Sequence, residues 1–300
     1  VPLPRIHAFG HDQFSGADLE RAKGATTVSV CLPARDEAAT IGPIVAAIHD
    51  ELVERHQVID ELLVIDDHSS DGTDRIAADA GATVVDAASV LPEFGAGHGK
   101  GEALWKSLFA ARGDVVVWCD ADIRDFSANF ITGLVGPLLT RDDVDFVKGH
   151  YSRTDESGRG RGGRVTELVA RPLLGVFFPE LAEIVQPLSG EYGGRRPVLE
   201  RLPFVQGYGV DLGLLIDVAG AVGVERMAQV DLGARVHRNR PIDELSPQAL
   251  AVLLTALRRA DPGLVSTSAV LRRPDLDPTP VSVAERPPLL EVPGYLRRSA

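Results

Sequence analysis

The sequence predicts an α/β fold built on a Rossmann-like, mostly parallel sheet with helices on both faces. From residue 27 onward, short β-branched runs alternate with longer amphipathic segments, the pattern that βαβ units produce. The helical stretches open on acids and hydroxyls and close on glycines, as "SSDGTDRIAADAG" does at Gly81 and "KSLFAARG" at Gly113, so helix-end chemistry marks their boundaries. With 300 residues and 44% hydrophobic content, the chain can build one large domain or two interlocked ones around a proper core.

Taken in order, residues 1–24 read as an N-terminal arm, polar and irregular, with a short helix in "SGADLERAKG". Residues 25–145 form a first half in which "TVSVCLP", "ELLVID", "ATVVD" and "DVVVWCDAD" are strands. The helices between them are "EAATIGPIVAAIHDELVE", "SSDGTDRIAADAG" and "GKGEALWKSLFAARG". Residues 146–245 form a second half, with the strand "VDFVKGHY" at its start, a Gly/Arg-rich loop at 157–163, helices near 164–178 and 208–222, and the extended segment "RMAQVDLGARVH". Residues 246–300 comprise the helix "SPQALAVLLTALRRA" and a proline-rich tail, read as an ordered wrap, an oligomer contact or a mobile end. No internal repeat is visible.

Composition excludes several function classes. A net charge of −12 argues against a general nucleic-acid binder, because phosphate backbones need a basic face. Only four lysines occur, at 23, 100, 106 and 148, while arginines gather in "YSRTDESGRGRGGRVTE" and "VHRNRP"; arginine's planar fork suits phosphate and carboxylate, and GC-rich coding is the competing reading of the overall ratio. Cys31 and Cys119 both sit inside apolar runs, where a free thiol acts as a small buried hydrophobe. No run of eighteen apolar residues and no lipidation motif is present, so a cytoplasmic protein with no membrane span is expected.

The strand "DVVVWCDAD" stops on two aspartates, Asp120 and Asp122. Ligands of open parallel sheets bind beyond the carboxyl ends of the strands, so this pair stands at a mouth rather than in a core. Carboxylates spaced i, i+2 on an extended segment point the same way and can share one hard cation, Mg²⁺ or Mn²⁺, with a nucleotide diphosphate supplying further oxygens. A helix cap or surface turn is the competing reading. The strands before it end in "LPARDEAATI" and "VIDDHSSDGT", so three parallel strands deliver acid-bearing loops to one edge.

In this order and spacing, "PARDEAATI", "IDDHSSDGT" and "DAD" resemble the nucleotide-sugar half of a GT-A glycosyltransferase. "HGKGEALWKSL", "GGRVTELVARPLL", "QPLSGEYGGRR", "LPFVQGYGVDLGLLID" and "QVDLGARVHRNRPIDEL" narrow the resemblance to the glucosyl-3-phosphoglycerate and mannosyl-3-phosphoglycerate synthases, over about residues 26 to 246. It implies a GT-A fold and a retaining hexosyltransferase that moves glucose or mannose from UDP-glucose or GDP-mannose to 3-phosphoglycerate. The cofactor implied is Mg²⁺ or Mn²⁺, and a homodimer is expected.

Residue by residue, the resemblance implies that Pro33, Ala34, Arg35 and Glu37 form the first nucleotide loop and that Asp67 meets the base or ribose. Lys100 lies in a glycine-rich turn that opens a helix, where an ammonium and backbone amides can meet a phosphate. Asp122 and His237 are implied as metal ligands, with Asp120 and Ala121 nearer the nucleotide-sugar. Gly163, Arg164 and Thr166, following Gly162, open a helix suited to an anionic acceptor, with Asn239 at its glycerate end. Leu188 through its backbone, Glu191, Tyr208 and Asp211 are placed at the sugar. Asp211 stands where the mycobacterial pattern has glutamate, which puts its role in question. Arg238 and Arg240 read as anion contacts or as structural ion pairs.

Three rivals share parts of this pattern. A nucleotidyltransferase would carry a glycine-rich, arginine-containing loop after the first strand, and "LPARDEAATI" has no glycine before Gly42. A polyprenyl-phosphate sugar transferase shares the N-terminal half but calls for a membrane-embedding segment. A nucleotide-sugar sensor would bind without turnover.

Overall fold

The computed structural model describes residues 5–95, 97, 99–154, 163–236 and 241–295. Its strands are β1 (His7–Gly10), β2 (Val28–Ala34), β3 (Glu61–Asp66), β4 (Thr83–Asp86), β5 (Val115–Trp118), β6 (Phe146–Thr154), β7 (Tyr192–Arg195), β8 (Phe204–Val205), β9 (Met227–Val236), β10 (Ser268–Arg273), β11 (Leu276–Ser282) and β12 (Glu285–Arg286). The α-helices are α1 (Gly16–Lys23), α2 (Ile41–Ile48), α3 (Thr73–Asp79), α4 (Lys100–Ala110), α5 (Asn129–Thr140), α6 (Arg171–Phe177), α7 (Arg196–Leu199), α8 (Val210–Val222) and α9 (Ile242–Ala260).

Eight strands form one sheet in the order β1-β9-β6-β7-β5-β2-β3-β4. All neighbours pair parallel except at β7, which runs antiparallel to both β5 and β6. Strands from both halves of the chain therefore share a single sheet. Side chains alternate across it, as a pleat of period two requires. Val28, Val30, Leu32, Val115 and Val117 enter one core layer with α2 and α5, while Cys31, Val116 and Trp118 enter the other with α4 and α8. The two cysteines lie on opposite faces, both as free buried thiols.

The expected strands and helices of residues 27–118 are all present. Differences fall at the ends. Residues 7–10, expected to be irregular, form edge strand β1 beside β9, and the helix after them is α1, with Ser15 as its cap. The helix expected over 164–178 opens at Arg164, passes through a π-helical turn, Thr166–Ala170, and continues as α6. The last helix starts at Ile242 and carries Pro247 inside it. Beyond it the tail is ordered: β10 and β11 form a hairpin packed on α9 through Val281, Ala251 and Leu254, and β12 pairs with β8.

Candidate active site

The carboxyl ends of β2, β3 and β5 lie side by side, and their loops are stitched together. Asp36 and His68 both hold left-handed backbone, at φ 55° and 64°, a conformation costly for residues other than glycine. Bonds between the loops offset it. Ser69 Oγ accepts from the Asp36 N–H at 3.0 Å, Asp36 Oδ1 from the Ser70 N–H at 2.8 Å, Thr73 Oγ1 from the Glu37 N–H at 2.8 Å and Asp71 Oδ2 from the Ala38 N–H at 3.0 Å. The Thr40 hydroxyl donates to the Ala121 carbonyl at 2.7 Å, tying the first loop to the Asp-Ala-Asp segment. Asp67 is buried, and its Oδ2 accepts from the Gly99 N–H at 2.9 Å. The second loop thus fixes the glycine turn ahead of Lys100.

Lys100 is the first residue of α4. Its Nζ lies 2.8 Å from Asp120 Oδ1 and 3.2 Å from Asp211 Oδ1, and the Tyr192 hydroxyl donates to the same Asp211 oxygen at 2.9 Å. Burial alone would lower the ammonium's pKa; Asp120 and Asp211 outweigh it and hold Lys100 above its ordinary value. Burial pushes Asp120 up, but Lys100 and Arg235 reverse that and leave it below the usual carboxylate range. One ammonium and two carboxylates are thereby fixed where α4, the β5 loop and α8 meet.

A second group lies beside the first. Buried Arg235 of β9 donates through Nη2 to Asp122 Oδ1 at 2.6 Å and through Nη1 to Glu191 Oε1 at 2.9 Å. Burial, reinforced by Asp120, pushes the Glu191 carboxyl up to about 7 against the pull of Arg235. Its Oε2 is buried without a hydrogen-bond partner among the described residues. Lys148 of β6 is also buried, its Nζ donating to the Ser189 carbonyl at 2.9 Å and lying 4.1 Å from the centre of the Tyr192 ring. Burial lowers that ammonium to about 8, with Asp211 opposing.

Asp120 and Asp122 do not face a common partner in this arrangement. The strand ends at Trp118, and the residues after it form a loop, so the i, i+2 rule for extended chain no longer applies. Asp120 turns to Lys100 and Asp122 to Arg235. Among the described residues no three His, Cys, Asp or Glu side chains gather to hold an ion. Asp122 is 43% exposed at the edge, and a carboxylate suits a hard cation such as Mg²⁺ or Mn²⁺.

The family model described as glycosyl transferase family 2 matches residues 29–195. Glucosyl-3-phosphoglycerate synthase from Mycolicibacterium smegmatis is 45% identical, over 94% of this chain and 95% of that one. The chain belongs to the glucosyl-3-phosphoglycerate synthase family. Its fold is also that of the crystal structure of mannosyl-3-phosphoglycerate synthase from Rubrobacter xylanophilus, with a TM-score of 0.86 at 40% identity, covering 95% of this chain and 97% of that one. The Mycobacterium tuberculosis glucosyl-3-phosphoglycerate synthase in complex with Mn²⁺, UDP-glucose and phosphoglyceric acid gives 0.84 at 42% identity, covering 96% and 99%. This is the GT-A architecture expected from the sequence.

The structure distributes the expected synthase residues as follows. Pro33 and Ala34 end β2, Arg35 is exposed and Glu37 half-buried in the loop beyond, and Ala121 is buried between the two aspartates. Leu188 is half-buried in the turn before Ser189, and Tyr208 is half-exposed in the turn before α8. Gly163 precedes the helical segment that Arg164 opens; Arg164 is exposed and Thr166 buried. Gly162, His237, Arg238, Asn239 and Arg240 lie outside the described residues. Lys100, Asp120 and Asp211 meet directly. Lys148, Tyr192 and Arg235 were not anticipated as members of the site. Only Lys148 carried a local signal, a cation directly after the apolar pair Phe146–Val147 in "FVKGHY".

Proposed function

We propose that this chain transfers a hexosyl group from UDP-glucose or GDP-mannose to the hydroxyl of 3-phosphoglycerate, with retention of configuration. The observation that carries the reading is the Lys100–Asp120–Asp211 cluster at the carboxyl edge of β2, β3 and β5, in a chain alike over nearly its whole length to synthases of this kind. Arg35, Glu37 and Asp67 line or brace the nucleotide side. Lys100 faces the donor phosphates, and Tyr208, Asp211 and the Leu188 backbone orient the sugar. Gly163, Arg164, Thr166 and Asn239 take the acceptor, whose phosphate and carboxylate suit a guanidinium and a helix start. Asp122 with His237 would hold Mg²⁺ or Mn²⁺, which supplies Lewis acidity toward the leaving diphosphate. Holding both substrates in attack geometry provides the remaining advantage.

Release of free nucleotide tests the reading. Turnover should require a donor, 3-phosphoglycerate and a divalent cation together, and proton NMR of the product should show the donor's anomeric configuration. Hydrolysis without acceptor dependence, or no release from either donor, would refute it. Asp122→Asn should lose most turnover and shift the metal requirement upward.

Two further attributes belong to the proposal. Leu168, Val176, Phe177 and Val185 expose apolar surface on and beside α6, and Arg171 anchors the Val185 carbonyl to that helix at 3.0 Å. This face supports a homodimer, testable by light scattering with Val176→Asp as the disrupting variant. Two free, buried thiols support a reducing, cytoplasmic setting; no described helix is long and apolar enough to cross a membrane.

A further inference from the structure

We propose that Arg286, in the C-terminal segment, belongs to the positioning machinery of the donor site, acting on Lys100 through Glu102. The inference rests on the functional reading above and concerns residues well beyond the family-model match at 29–195.

Glu102 is fully buried in α4, two positions after Lys100. Arg286 grips it with its fork, Nε to Oε2 at 2.6 Å and Nη2 to Oε1 at 2.9 Å. Gln206 Nε2 donates to Oε2 at 3.1 Å, and Lys106 Nζ stands 3.3 Å from Oε1. Each partner leads back to the site. Gln206 opens the turn that carries Tyr208 and then Asp211. Lys106 Nζ also donates to the Ala87 carbonyl at 2.7 Å and the Gly95 carbonyl at 3.4 Å, so it holds the start of the glycine turn before Lys100. Gly97, at φ +57°, passes so close that a Cβ there would sit 2.3 Å from the Glu102 carboxyl carbon.

The tail is seated by more than one contact. Arg286 pairs through its backbone with Phe204 of β8, and its guanidinium lies 5.5 Å from the centre of the Trp105 ring. The Trp105 indole donates to the Pro287 carbonyl at 2.8 Å. On the other side of β8, α4 comes so near that a Cβ on Gly101 would lie 1.7 Å from the Val205 carbonyl oxygen. Tail, α4, glycine turn and Tyr208 turn thus converge on one buried carboxylate. A buried ion pair is a poor source of stability compared with apolar packing, whereas it fixes geometry well. Displacing a binding group by about 1 Å can cost a hundredfold, and Lys100 reaches both of its carboxylates from the first residue of this helix. Arg286 and Glu102 are therefore positioning residues.

The test is titration of UDP-glucose with Mn²⁺, and separately of 3-phosphoglycerate, against the full-length wild type, Arg286→Gln, Arg286→Lys and Glu285→Gln, with melting temperatures alongside. Arg286→Gln should weaken donor affinity about tenfold or more and leave acceptor affinity within about twofold. Arg286→Lys, with a point contact in place of a fork, should lie between. Glu285→Gln removes the neighbouring tail ion pair, Arg259 Nη1 to Glu285 at 2.9 Å, and should leave donor affinity unchanged. Wild-type donor affinity in Arg286→Gln, or a parallel loss for both substrates that tracks melting temperature, overturns the proposal. If Arg286→Gln does not fold, unchanged donor affinity in Arg286→Lys overturns it equally. A wild type that binds neither UDP-glucose nor GDP-mannose would overturn the functional reading and this inference with it; failure confined to the Arg286 variants leaves that reading standing.

Discussion

Replacing Lys100 by methionine removes the ammonium shared by Asp120 and Asp211 while keeping the length of the stem. Stripping one partner from a buried ion pair costs roughly 3–5 kcal/mol, because the remaining charge is left uncompensated. Here the lysine side chain is 16% exposed and Asp120 is 29% exposed, so water recovers part of the loss, and about 3 kcal/mol is expected. A chain of 300 residues unfolds with an entropy of roughly 0.6 kcal/mol per kelvin, so the variant should melt about 5 °C lower. The pH dependence has a definite sign. Asp120 is depressed in the folded state, so its contribution is present above the unfolded carboxylate value and lost as pH falls through the folded one. Lys100 is raised, so its contribution is complete below its ordinary value and lost only as pH climbs through the folded one. Glu191, at about 7, and Lys148, at about 8, also feel the Lys100 charge, so the gap between wild type and variant should narrow progressively as pH falls from the alkaline side and narrow further below about pH 4. Melts across that range in metal-free buffer provide the measurement, with UDP-glucose titrations expected to show a loss of tenfold or more. A variant that melts within about 1 °C of wild type at pH 7.5, or whose deficit grows on acidification, would refute the assignment of Lys100 as the shared cation.

Arg164→Ala should weaken 3-phosphoglycerate use by roughly a hundredfold while sparing UDP-sugar affinity; titrating each substrate separately shows whether the residue serves the acceptor or the donor. Lys148 is lowered to about 8 in the folded state, below its unfolded value, so its own contribution to stability should rise by up to a few kcal/mol as pH climbs from about 8 to 10, against the fall that the two buried thiols contribute there. Subtracting the stability of Lys148→Met from that of the wild type at each pH in a series of denaturant titrations should leave a difference that rises over this window. Burial raises the Cys31 thiol to about 12 and Cys119 well above its ordinary value, so native protein should react slowly with a thiol reagent and form no internal disulfide, as mass spectrometry after timed labelling would show.

The central strands were legible because each is a short β-branched run between well-marked helix ends, as at "TVSVCLP" and "ELLVID". β1 was not, because the four residues "HAFG" show no alternation and owe their conformation to pairing with β9, more than two hundred positions away. β11 was hidden by Pro278 and Pro280, which argue against a central strand but are tolerated in a two-stranded hairpin with open edges. Within the site, Lys100, Asp120 and Asp211 could be read from the turns and strand ends that carry them. Lys148, Glu191 and Arg235 meet only because β7 runs backward between β5 and β6, and because β9 lies beside β6. No local pattern announces such a meeting. The different partners of Asp120 and Asp122 were missed for the converse reason: a local rule was extended two to four residues past Trp118, the end of the strand to which it applied.

β1 has a practical consequence for anyone trimming this protein for study. It covers the outer flank of β9 from Ala228 to Asp231, and His11 Nδ1 bonds the Asp231 carbonyl at 2.8 Å. Behind it, Phe14 fills a notch over Gly136 of α5 in which even a Cβ would come within 2.2 Å of the ring. A deletion of the first fourteen residues, suggested by their unpromising sequence, would convert β9 from an interior strand to an open border with unpaired amides and carbonyls, a template for association with other chains. The same strand supplies Arg235. Such a shortened protein should precipitate sooner and hold the loop of Asp122 less firmly, so loss of catalysis on N-terminal truncation would report a frayed sheet rather than a missing substrate contact.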